Sequence, residues 1–172
     1  AFLVAILSFF SGFGLGTILT PVFMIFFSVD LAIGLTGLVH FFNNIFKLFL
    51  VGRQVDQRVL LNFGIPAVLA AMLGSWLLIQ LSGLPTLFSY HLFGRFIEVS
   101  VVKFVISILL IVFACMDLIP YFSQLKFDKK MLPFGGMLSG FFGGLSGNQG
   151  ALRTAFLIKS GISKEAFIST AV

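Results

Sequence analysis

The sequence predicts an all-α, polytopic transmembrane helix bundle with glycine-broken helices and an internal repeat. Three observations point there. Of 172 residues, 59% are hydrophobic and only 10% charged, whereas soluble domains average roughly 45–50% apolar and 25% charged. Several apolar runs exceed the ~18–20 residues needed to cross a bilayer. A glycine-rich polar stretch, GGLSGNQGALRTAF at 143–156, interrupts a run that is otherwise apolar enough to lie in hydrocarbon.

Taken in order, the first span is expected over 1–27, with Gly12, Gly14, Gly16 and Pro21 interrupting its middle. The connector SVD can cap the next helix through Ser28 or Asp30. A second span is expected over 31–51 and is followed by the polar loop GRQVDQR. The third, 59–82, contains Pro66 and Gly74, which membrane helices tolerate when neighbours satisfy the freed backbone groups. The connector LPTLFSYHLFGRFIEV is mixed, and its aromatics suit a membrane interface. The fourth span, 99–119, ends at Pro120, and the charged loop YFSQLKFDKK follows. The fifth, 131–158, holds the polar stretch, and SKEA near Ser163 offers a cap for a sixth helix.

Aligning Gly16 with Gly150 without gaps also brings Thr20 onto Thr154, Ala32 onto Ala166 and Thr36 onto Thr170. Residues 1–130 are therefore expected to form a first repeat and 131–172 the start of a second, incomplete one. Four spans separate the two starts, so the repeats are parallel, a duplication common among transporters. The first residue is Ala, and AFISTAV stops inside a helical pattern, so the chain reads as a truncated piece.

The net charge of +5 is scattered and forms no basic face. It is read as loop charge that orients helices, placing GRQVDQR, KFDKK and the N-terminus in the cytoplasm. No nucleic-acid partner is expected, and membrane lipid is. The single Cys115, inside VFACMDL, excludes an intrachain disulfide and a multi-cysteine metal site. No metal and no cofactor are expected, and the oligomeric state is not indicated.

In the second span, Thr36, His40, Asn43, Asn44 and Lys47 recur at helical spacing and form one polar stripe. Such a stripe must face protein or a water-filled cavity, because lipid offers no partners. Interhelical glue is the alternative for Asn43 and Asn44, and snorkelling for Lys47. In the fifth span, Gly143, Gly144, Gly147 and Gly150 favour either an unwound segment or a glycine packing face. Each costs about 1 kcal/mol in a helix relative to alanine. A helix restarting near Gly150 would aim its first N–H groups into the break. Ser146, Asn148 and Gln149 would line that break, and Arg153 would lie one turn beyond.

Arg153, Lys47 and, if protonated, His40 are deep, and no carboxylate is comparably deep. Asp117 is the one candidate partner, for Lys47. An unpaired intramembrane cation costs at least about 2.5–3.5 kcal/mol, so a negatively charged substrate is the expected compensation. Arg153 and Lys47 are assigned to its charge, and Asn43, Asn44, Asn148 and Gln149 to its oxygens. His40 is a candidate proton carrier.

The run GGLSGNQGALRTAFL, with HFFNNIFKLFLVGR upstream, resembles the sulfite exporter TauE/SafE group of bacterial membrane permeases. So does the glycine-rich segment leading through Pro21 and a turn to Ala32 and Thr36. The likeness covers the whole chain. It implies a duplicated bundle in the bacterial inner membrane that carries small sulfur-containing anions, such as sulfite or organosulfonates, by secondary transport. The first break, GFGLGT, is poorer in glycine than the family's, so the two sites are expected to be unequal. An anion channel or accessory subunit is the alternative. An enzyme is not expected, because no acid–base pair or nucleophile shows recognisable spacing.

Overall fold

Where lipid replaces water, backbone hydrogen bonds must close within each segment, and most of this chain closes them as helix. The computed structural model describes residues 15–51, 55–92, 94–119, 127–157 and 164–171. In order these form α1 (Leu15–Met24), α2 (Val29–Val51), α3 (Gln57–Ser82), β1 (Thr86–Leu92), β2 (Arg95–Ser100), α4 (Val101–Leu118), a 3-10 turn (Lys129–Met131), α5 (Leu132–Ser146), α6 (Gly150–Leu157) and α7 (Lys164–Ala171).

Local chemistry sets the boundaries. Asp56 caps α3 by accepting from the Val59 N–H at 3.0 Å, and its own N–H donates to Thr170 Oγ1 of α7 at 3.0 Å. Ser100 caps α4. Pro133 opens α5, where an absent N–H costs nothing. Among the described residues, α2 and α3 are long and apolar enough to cross a membrane, and α4 is a shorter apolar helix. Their large apolar side chains point outward: Phe49 is 86% exposed and Trp76 60%. In water that arrangement would be unstable, whereas lipid accepts it.

The closest helix pair is α3 with α5, and glycine makes it possible. Gly136, Gly140 and Gly144 recur every fourth residue on one face of α5. Their backbones lie against the carbonyls of Phe63, Ala67 and Ala71, where any Cβ would overlap. Gly74 of α3 lies in the same way against the Phe141 carbonyl. Spacing by four keeps such residues on one face, and small residues let membrane helices approach without a hydrophobic drive. Apolar clusters flank the seam. Val29, Ile33, Leu78, Val102, Ile106, Leu110 and Leu145 gather toward its C-terminal end, and Val59, Phe63, Leu132, Phe156 and Leu157 toward its N-terminal end. Gly135 leaves room for the Phe156 ring, which stacks on Phe127 at 4.2 Å.

Three expectations need correction. The fold is mostly helical, not all-α, because the connector at 86–100 is an antiparallel hairpin. Its alternating aromatic and β-branched residues suit a strand. Gly16 and Pro21 do not interrupt a helix but lie inside α1. Gly143 and Gly144 lie inside α5, where Gly144 serves packing and Gly143 accommodates Gln149. Gly12 and Gly14 lie outside the described residues, as do Arg53, Lys126 and Lys159.

Candidate functional site

The break between α5 and α6 begins at Gly147, whose φ of 72° is left-handed, a conformation glycine adopts at no steric cost. Its N–H closes α5 by donating to the Gly143 carbonyl at 2.9 Å. Ser146 is fully buried; its hydroxyl donates to the Phe142 carbonyl at 2.7 Å and accepts from the Asn148 N–H at 3.4 Å. Ser139 Oγ donates to the Gln149 carbonyl at 3.3 Å. The break is thus held by hydroxyls of the helix it leaves.

Asn148 is only 2% exposed. Its Nδ2 donates to Thr17 Oγ1 of α1 at 2.8 Å, and its Oδ1 accepts from the Gly150 N–H at 3.3 Å. The side chain therefore caps α6 and ties it to α1. Ser146 and Asn148, expected to line an anion site, are turned into the fold. Gly150 opens α6, and Arg153 lies one turn in, its N–H donating to the Gln149 carbonyl at 2.9 Å.

A cavity of about 700 Å³ opens beside the break. The wall from α2 carries Asp30, Gly34, Gly37, His40, Phe41 and Asn44. Ala71, Ser75, Leu78 and Ile79 come from α3, and Gly143, Gly144, Gly147 and Gln149 from α5 and the break. From Asp30 to Asn44 the α2 wall extends about 21 Å at 1.5 Å per residue. Asn43 and Lys47 are not part of this wall. Thr36 has left the polar stripe: it is fully buried, donates to the Ala32 carbonyl at 2.9 Å, and accepts from Thr20 Oγ1 of α1 at 3.2 Å.

Three elements converge at Gly16. A Cβ there would meet the Gly147 carbonyl at 2.5 Å, His40 Nε2 at 3.2 Å and the Asn148 Cα at 3.3 Å. This brings α1, the middle of α2 and the break into one place.

The cations converge as well. The partly buried Arg153 lies within electrostatic range of both His40 and Lys47. Arg153 and Lys47 both act electrostatically on His40, and Arg153 acts on Lys47. The Asp117 side chain lies outside the described part of the structure. Asp30 is the one acidic side chain on the cavity wall, at the far end of α2 from Lys47.

Sequence reasoning missed Asp30, Gly34 and Gly37 as wall residues, although they share the helical spacing of His40 and Asn44. It also missed Thr17, Ser139 and Ser75, which carry no distinguishing signal. Ser75 Oγ donates to the Gly144 carbonyl at 3.3 Å.

A family model described as sulfite exporter TauE/SafE matches residues 1–172. No curated protein matches the chain. No solved structure matches it either.

Proposed function

The chain belongs to the sulfite exporter TauE/SafE family, a family of membrane transporters for sulfur anions, and from that premise we propose that it is a secondary transporter. Its cargo is a small sulfur-containing or organic anion such as sulfite or a sulfonate, carried across the bacterial inner membrane. The observation that carries this reading is that Arg153, Lys47 and His40 lie within electrostatic range of one another beside a cavity of about 700 Å³. Like charges in a low-dielectric setting repel one another, and an anion between them turns repulsion into attraction.

In this proposal Arg153 supplies the fixed charge and a planar fork of donors suited to two oxygens of one oxyanion. Lys47, exposed and off the cavity wall, adds a second charge within range of Arg153. Gln149 and Asn44 offer amide donors from opposite walls. Asn43 lies off the cavity wall and is left out of the proposed anion site. Ser146 and Asn148 act one step back by holding the break that presents Gln149 and Arg153. His40, between α1 and the cavity, is the candidate proton carrier. In this proposal residues 1–130 and 131–172 belong to two parallel repeats. The family is one of transporters, which favours a carrier over an enzyme.

The test is counterflow of labelled sulfite or a small sulfonate in proteoliposomes. Arg153→Ala is expected to abolish exchange while inserting normally. Exchange at the wild-type rate would remove Arg153 from the site. Single-channel currents in planar bilayers at zero exchange would replace the carrier with a channel.

A further inference from the structure

The hairpin between α3 and α4 has two unlike faces. Antiparallel partners share a face, so Phe88 with Val99, Tyr90 with Ile97 and, at the turn end, Leu92 with Arg95 form one side, and Ser89 with Glu98 and His91 with Phe96 form the other. The first side is apolar yet open, with Phe88 51%, Tyr90 42% and Leu92 47% exposed. Phe88 and Tyr90 stack at 6.3 Å. Among the described residues the hairpin's one substantial tertiary contact is with α4, so no part of the described fold covers this face.

Its position says what covers it. Ser100 ends β2 and caps α4 in a single residue. Lys103 of the first α4 turn locks the joint by donating to the Glu98 carbonyl at 2.9 Å. Eighteen residues make α4 about 27 Å long, just short of a ~30 Å hydrocarbon slab. A helix of that length leaves the hairpin at the slab's edge rather than out in water. Tyrosine with an apolar body and a polar tip is enriched at that depth.

We propose that the hairpin is a lipid-contacting platform lying in the membrane–water interface. Phe88, Tyr90 and Leu92 rest on the phospholipids of the surrounding leaflet, and Ser89, His91 and Glu98 face water. The platform fixes the depth and tilt of the α3–α4 pair. It is independent of the transported anion, because none of its residues reaches the cavity.

The experiment uses the full chain in phosphatidylcholine–phosphatidylglycerol vesicles, with the single tryptophan moved. In a Trp76→Phe background, Tyr90→Trp or Phe88→Trp reports the apolar face and Ser89→Trp the polar one. Lipids brominated near the headgroup are expected to quench the apolar-face reporters at least about twofold more than the Ser89 reporter, and iodide to quench in the opposite order. Equal iodide access on both faces would overturn the proposal by putting the hairpin in water. Protection of the apolar face from both quenchers would overturn it by showing protein there, such as a second copy of the chain. If a tryptophan variant misfolds, a nitroxide at position 90 in a Cys115→Ser chain gives the same decision from oxygen against nickel accessibility.

Discussion

Asn148 Nδ2 donates to Thr17 Oγ1 across 2.8 Å, joining the break before α6 to a helix at the other end of the chain. The bond is buried on both sides, Thr17 being 8% exposed. Asn148→Ala should therefore lower stability by about 1–3 kcal/mol, the usual loss when a buried donor or acceptor is orphaned. Thermal unfolding in detergent measures it. Thr17→Val, which removes one partner but keeps the shape, should cost at the lower end of that range.

Gly16 and Gly37 are predicted to respond oppositely to alanine. At Gly16 a methyl group would meet the Gly147 carbonyl and His40 Nε2, so Gly16→Ala should displace the break and reduce anion exchange. At Gly37 nothing lies within 4 Å, so Gly37→Ala should fold and exchange as the parent does. A leucine there should instead occupy the cavity, lowering exchange rate without lowering the unfolding temperature. Equal behaviour of Gly16→Ala and Gly37→Ala would contradict the convergence of α1 with the break.

The α3–α5 seam supplies a stability prediction free of transport. Gly140→Ala presses a methyl group onto the Ala67 carbonyl, backbone that cannot swing aside. Overpacking of this kind typically costs about 1–3 kcal/mol. Gly64→Ala, facing the Leu60 side chain at an ordinary 3.6 Å, should be neutral or slightly stabilising because alanine favours helix. Unfolding of both variants in one detergent makes the comparison.

Lys47→Glu tests the cationic cluster. The new carboxylate would pair with Arg153, within whose field Lys47 already lies, and compete with the anion. Apparent affinity for sulfite should fall about tenfold or more, equivalent to about 1.4 kcal/mol. Lys47→Gln, which removes charge without adding a competitor, should weaken binding less. Isothermal titration or the half-saturation of counterflow separates them, and a tighter-binding Lys47→Glu would argue against an anionic cargo.

Part of the site was legible because helical spacing and backbone chemistry are local. The restart at Gly150, the position of Arg153 one turn in, and the shared face of His40 and Asn44 all follow from periodicity and glycine propensity. The roles of the glycines were not separable. A missing side chain serves a left-handed turn at Gly147 and a close helix contact at Gly144 equally well, and only the neighbour decides which. The hairpin was hidden for a related reason: TLFSYHL alternates, but its aromatics satisfy an interfacial loop just as well. The fate of Asn148 was illegible too, because a carboxamide in a break can face a substrate or a threonine far away in the chain.

Composition and periodicity by themselves determined that this is a helical membrane protein with a glycine break and cations set within its apolar spans. Those properties arise from the transfer free energy of each segment and the conformational preference of each residue. Tertiary structure alone decided that Arg153 comes within electrostatic range of Lys47 and His40, that Gly16 makes room for the break, and that the Asn148 amide donates to Thr17. Such pairings depend on how helices distant in sequence dock. Docking is settled by shape, by which backbone comes within reach of which glycine, and no local pattern records it.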